Sequence, residues 1–176
     1  MKFFTLALAT LLAQTVTIAQ SLWWNQQSSG FRLILKSTDN DLNDTFYHNV
    51  SSYNYDNQGI LNWPLSIWGR DYPASSAMRF DYEAGTNLVE IMLVPWTDIY
   101  QLVWFEEDSA SMYIAIDEDD TGKVRDWVVP PKQVKNWYMC NSRYSIKLRT
   151  LAWKIGFVGE PQNPTCSKVD VVRVWV

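Results

Sequence analysis

Along most of this chain apolar residues recur at every second position. Phe31, Leu33 and Leu35 alternate with Arg32 and Lys36, so one face is apolar and the other wet, with Ile34 the exception. Met78-Arg79-Phe80-Asp81-Tyr82 repeats the alternation. Val89 to Val94 is apolar throughout except Glu90, the pattern of a strand covered on both faces. Further runs of β-branched and aromatic residues follow at 100–105, 112–116, 126–129, 136–140, 145–157 and 168–176. Asn57-Gln58-Gly59, Glu83-Ala84-Gly85-Thr86, Asp119-Asp120-Thr121-Gly122 and Pro161-Gln162-Asn163-Pro164 are turn formers, and Pro130-Pro131 is expected to stop a strand. No stretch keeps the apolar spacing of a helix over three turns. The pattern predicts an all-β domain, an antiparallel sandwich or barrel of about nine to eleven short strands. No repeat of fixed period points to a propeller or solenoid.

The first residues differ from the rest. Lys2, the apolar run Phe3–Leu12 and the small-residue ending Thr17-Ile18-Ala19 have the form of a cleaved secretion signal, too short to span a bilayer. The expected organisation is a signal peptide at 1–19, a polar lead-in at 20–30 and one β domain at 31–176. No later apolar stretch approaches membrane length, so no membrane span is expected. The formal charge is -4 and the Lys and Arg residues are scattered singly, which disfavours nucleic acid as a partner. Export would make the two cysteines, Cys140 and Cys166, a disulfide, with a pair of buried thiols as the alternative. Asn43-Asp44-Thr45 and Asn49-Val50-Ser51 are then candidate glycosylation acceptors, whereas Pro164 disqualifies Asn163.

Chemistry is sparse. His48 is the one histidine and sits beside Asn49, a poor place for a general base or a metal ligand. None of the common nucleophile, zinc, phosphate-loop or dinucleotide motifs occurs, so no cofactor is implied. Asp117, Asp119 and Thr121 alternate ahead of Gly122 as in a calcium loop, but Val128 stands where the closing glutamate belongs. A solvated hairpin tip is the preferred reading there, with calcium as the minority one. Glycoside cleavage needs two acids facing each other across a groove, and Glu83, Glu90, Glu106, Glu107 and Asp117 are the candidates. Glu106-Glu107-Asp108 otherwise reads as an ordinary turn.

The aromatic share is 15%, with ten tryptophans. Trp96, Trp104, Trp127, Trp153 and Trp175 fall in or at the ends of strand patterns, where burial is the default. Trp23 and Trp24 stand in the lead-in, and Trp63 and Trp68 flank Pro64 in an expected loop. These four are the candidate ligand-binding rings, since exposed rings are costly unless something covers them.

The segments Asn136-Trp137-Tyr138-Met139-Cys140, Leu151-Ala152-Trp153, Pro161–Cys166 and Lys168–Val174 resemble the C-terminus of a family of small secreted ascomycete proteins of unknown function. The resemblance implies export, a Cys140–Cys166 pair and an all-β fold. It carries no catalytic residues to transfer. Residues 41–70 depart from it, lacking the cysteine-containing, glycine-rich stretch expected there. The favoured expectation is a secreted, non-enzymatic binding protein for a cell-wall or host glycan, or for an extracellular protein, as an effector would be. A carboxylate-pair glycoside enzyme and a structural wall glycoprotein are the alternatives.

Overall fold

The computed structural model describes residues 28–43, 46–53, 58–66, 69, 74–95, 99–119, 121–122, 126–143 and 147–176. These form twelve strands: β1 (Phe31–Lys36), β2 (Phe46–Tyr53), β3 (Gln58–Leu65), β4 (Ala74–Tyr82), β5 (Leu88–Pro95), β6 (Leu102–Phe105), β7 (Met112–Asp119), β8 (Asp126–Val134), β9 (Trp137–Arg143), β10 (Lys147–Lys154), β11 (Ser167–Lys168) and β12 (Asp170–Trp175). The all-β expectation holds, as a curled antiparallel half-barrel.

β3 is where the sheet divides. One of its edges pairs β2, from Asn62 opposite Ser51 to Ile60 opposite Tyr53. The other edge is shared, because Asn62–Leu65 pair β4 while Gln58–Ile60 pair β6. From β6 the pairing passes to β7 and then β8. On the far side it runs from β2 to β1 to β12. A single bridge, Ser111 to Val172, then joins the start of β7 to β12. The Arg173 N–H donates to the Ala110 carbonyl at 3.0 Å beside it. Pairing thus travels round β3-β2-β1-β12-β7-β6, with one narrow seam, while β4-β5-β10-β9-β11 extends as a wing.

The curl gives both parts one core. Phe31, Leu33 and Leu35 are fully buried, as their alternation predicts, and share a cluster with Trp137, Met139, Leu151 and Trp153 of the wing. Trp137 crosses between the parts. Its Nε1–H donates to the Met112 carbonyl at 2.7 Å. Its ring meets Trp153 edge-on at 4.6 Å, and Phe80 lies stacked on Trp153 at 6.0 Å.

Three sequence expectations fail here. Pro130-Pro131 does not stop a strand: β8 runs through both residues. Among the described residues β8 pairs only β7, and its register shifts between Ile116 (opposite Lys132) and Glu118 (opposite Trp127). The prolines occupy that bulge on an edge strand, where a missing N–H breaks no ladder bond. Trp63 and Pro64 are not in a loop but in β3, opposite Ser76 and Ser75. β2 pairs β3 only as far as Asn62, so Pro64 has its unpaired side free of a ladder. Finally, β5 is not covered on both faces. Leu88 and Val89 are buried but the remainder is only half-buried.

Cys140 and Cys166 are bonded, with Cα atoms 4.1 Å apart. Cys166 precedes β11, whose Ser167 lies opposite Met139, so the bond continues the β9–β11 pairing by one more rung. With Leu88, Tyr138 and Ala152 the bridge fills a small second cluster on the wing. Chain entropy for a separation of 26 residues gives about 3.5 kcal/mol. Replacing both cysteines by serine should lower the urea midpoint accordingly. A double variant unfolding at the parent midpoint would remove the bridge from the account of stability.

The segment after β10 is pinned to the wing. Lys154, 2% exposed, donates through Nζ to the carbonyls of Ile155, Gly156 and Val158 at 3.2, 3.0 and 2.8 Å. Asn87 and Gln162 exchange two bonds, each backbone N–H donating to the other's side-chain oxygen, at 3.0 and 2.9 Å. Gly156 and Gly159 take φ of 76° and 79°, the left-handed conformation that glycine adopts without strain.

Candidate functional site

A recess forms at the β6–β7 hairpin. After Phe105 the chain turns, with the Glu106 N–H donating to the Ser111 carbonyl and the Ala110 N–H to the Glu106 carbonyl, both at 3.0 Å. Ala110 completes the turn at φ 54°, where a Cβ is disfavoured. A pocket of about 530 Å³ opens against this turn, lined by Glu106, Glu107, Asp108 and Ser109, with Tyr113 of β7 and Gln133 of β8.

Its parts are held before any ligand arrives. Glu106 accepts from the Ser109 hydroxyl and pairs with Lys135 at 2.9 Å. The Ser109 hydroxyl, then the Lys135 ammonium, hold the Glu106 carboxyl below the usual carboxylate range. Gln133 Nε2 donates to the Tyr113 hydroxyl at 3.4 Å, and Tyr113 stacks on Trp104 at 6.3 Å. Burial, then the negative Glu106 and Glu107, push the Tyr113 phenol up, so it stays a neutral donor. Phe105, also in the lining, carries the Arg173 guanidinium 4.3 Å over its ring, and burial there lowers the Arg173 pKa.

Fixed carboxylates, an amide, a hydroxyl and a phenol suit a ligand with many hydroxyls, since vicinal diols donate well to carboxylates. They suit cleavage poorly. A glycosidic general acid needs a carboxyl whose pKa is raised, and Glu106 is moved the other way. Of the other acidic candidates, Glu107 lines the same pocket and is exposed, Glu83 and Asp117 are exposed, and register sets Glu90 opposite Asp81, itself exposed.

The remaining candidates are dispersed. Trp23, Trp24 and Trp68 lie outside the described residues. Trp63 is 8% exposed, packs in the main core, and has a buried Nε1 without a hydrogen-bond partner. Conversely Trp127 and Trp175, expected to be buried, are 67% and 53% exposed. Trp127 stands on the edge strand β8, and Trp175 at the end of β12 meets Phe31 in a T-shaped contact at 5.4 Å. Trp96 lies outside the described residues. Asn43 is exposed in the turn after β1; Asn49 and His48 belong to β2, but their side chains are outside the described set.

Asp117, Asp119 and Thr121 sit at the β7–β8 hairpin, as its tip reading expects. Asp119 accepts from the Thr121 N–H and hydroxyl at 2.9 and 2.6 Å on one oxygen, and from Lys132 on the other. Among the described residues no group of three metal-ligating side chains converges. Lys132, then Thr121, lower the Asp119 pKa to about 2. Its contribution to stability is therefore full above the ordinary value of 3.8, falls as pH drops from there, and is gone once pH passes through about 2. Carboxyl NMR titration should place the Asp119 midpoint there, and Lys132→Ala should return it toward 3.8. A midpoint unchanged by that substitution would assign the shift elsewhere.

Sequence reasoning treated Glu106 to Asp108 as a turn or a weak catalytic candidate and passed over Tyr113 and Gln133. The available signal was a cluster of acids between two strand runs, but only the fold brings Gln133 beside it. Comparison with curated proteins and with solved structures finds no match. A family model described as "Domain of unknown function (DUF7907)" matches residues 33–175. That span takes in every strand from within β1 to the end of β12, and the chain belongs to this family.

Proposed function

We propose that this protein is an exported, non-catalytic glycan-binding protein of a fungus, and that the β6–β7 pocket takes the sugar. The observation that carries the reading is the Glu106 carboxylate, fixed in the pocket wall by Ser109 and Lys135 and held ionised. A carboxylate pinned in this state accepts hydrogen bonds from hydroxyls and donates no proton, so the site holds a glycan without breaking it. Tyr113 and Gln133 add donors on the opposite wall. The leader-like first residues and the bonded Cys140–Cys166 pair support export, because such bonds persist in oxidising compartments.

The test is retention on insoluble chitin, cellulose and β-glucan, together with a soluble glycan array. At least one glycan should bind. Gln133→Ala and Glu107→Gln should each weaken it about tenfold, the value of one lost hydrogen bond in a recognition site. Tyr82→Ala, an exposed ring that does not line the pocket, should leave retention unchanged. No retention on any glycan, or equal retention by the pocket variants, would overturn the reading.

A further inference from the structure

A second recess lies at the opposite end of β1, where the chain enters the turn toward β2. Its volume is about 330 Å³, on the order of one sugar ring. Lys36, Ser37, Thr38 and Asn43 line it from the end of β1 and the turn after it, and Lys168, Val169 and Asp170 from the β11–β12 junction. The walls are joined at the base, because the Ser37 hydroxyl donates to the Lys168 carbonyl at 3.1 Å. Lys36 also stands opposite Asp170 in the β1–β12 register. The recess is therefore built from two segments 131 positions apart rather than from one loose loop.

Asn43 is exposed, heads the acceptor triplet Asn43-Asp44-Thr45, and has its carboxamide oriented by the fold. Its Oδ1 accepts from the Ser37 N–H at 3.3 Å. Attachment of a sugar to an asparagine uses the nitrogen and leaves the oxygen as an acceptor. The bond to Ser37 thus survives modification, and it keeps Asn43 among the residues that line the recess. The geometry points to an N-linked glycan on Asn43 whose first N-acetylhexosamine lies in this cleft, between residues 36–38 and 168–170. In forming it, the Asn43 nitrogen displaces the lipid-pyrophosphate carrier from the anomeric carbon of an oligosaccharide donor. A C–N bond forms, the C–O bond to pyrophosphate breaks, and the nitrogen loses one proton with no redox change. The Asp170 carboxylate and Thr38 hydroxyl can then bond the sugar's hydroxyls and acetamido N–H. The seated ring would lock the β1–β2 turn against the β11–β12 junction. This inference shares with the proposed function only the premise of export; it is independent of the β6–β7 pocket.

The experiment expresses the full chain in a secreting eukaryotic cell and maps the protein recovered from the medium by mass spectrometry. Asn43 should carry a glycan. Trimming by an endoglycosidase that leaves one N-acetylglucosamine should preserve the Tm of the untrimmed protein. Thr45→Ala, which abolishes acceptance while retaining the Asn43–Ser37 bond, should melt about 3 °C lower. Secreted protein with bare Asn43 overturns the inference and leaves export standing. Equal Tm for trimmed protein and Thr45→Ala overturns the seat in the cleft. Failure of the chain to reach the medium overturns both this inference and the export premise. Loss of glycan retention in the pocket assay with normal Asn43 modification overturns only the function proposed above.

Discussion

Trp137→Ala should lower the stability of this protein by about 5 kcal/mol, the upper end for deleting a fully buried aromatic side chain. Trp137 is 0% exposed, and its ring sits where the wing meets the ring of strands. Two side-chain interactions end there, and a backbone bond that alanine keeps makes a third. The indole N–H bond to the Met112 carbonyl ties β9 to β7, which no ladder connects among the described residues. Its edge-on contact with Trp153 and the Phe80 stack on Trp153 fill the centre of the shared core. Its own carbonyl receives the Val169 N–H at 3.1 Å, which fixes the approach of the β11–β12 segment. The cavity left by alanine cannot close easily, because the surrounding side chains belong to strands already locked on both edges. Trp137→Phe separates the effects. It keeps most of the ring and loses the N–H, so about 2 kcal/mol is expected, of which about 1 is the hydrogen bond. Chemical unfolding followed by far-ultraviolet circular dichroism measures both. A Trp137→Ala variant within 1 kcal/mol of the parent would mean that the two parts are not held by this side chain.

How much of this was written in the sequence depends on whether the decisive neighbour is local. β1 was legible because its alternation is complete and its inward residues meet the core from one side only. The β7–β8 hairpin was legible because Asp119 to Gly122 carries its own turn chemistry. β2 and β3 were not. Phe46–Tyr53 and Gln58–Leu65 mix polar residues, a proline and a glycine into strands that sheet pairing sustains. Propensity is a weak guide when a partner strand supplies the hydrogen bonds. The tryptophans show the same limit. Local pattern sets Trp63 in a loop and Trp127 in a buried strand, but exposure follows whether the strand lies inside the sheet or at its edge. The β6–β7 pocket was half visible: its acids are consecutive, whereas Gln133 reaches it only through the β7–β8 ladder. The disulfide was legible for a reason unrelated to fold, since two cysteines have only one pairing available within the chain.

Lys154→Ala should cost about 4 kcal/mol, the sum of a lost buried aliphatic stem and of carbonyls left without their donor. The position looks unfavourable for lysine, because an ammonium leaves water to reach it. It is tolerated because three carbonyls of the following segment, Ile155, Gly156 and Val158, all point at Nζ. Those carbonyls converge only because Gly156 adopts φ of 76°, and Asn136 Nδ2 holds the Lys154 and Gly156 carbonyls at 3.2 and 2.8 Å from the other side. Side chain and loop therefore specify each other. Alanine would remove both the buried stem and the anchor. Lys154→Met keeps the stem and removes only the anchor, so it separates packing from tethering. The methionine variant should lose about half as much stability as alanine, since burial of the stem is retained. Amide exchange across residues 155–160 should quicken in both variants, because the loop's carbonyls would turn outward to water. If Lys154→Met were as stable as the parent and exchange in that segment were unchanged, the three carbonyl bonds would be a consequence of the loop's shape and not its cause.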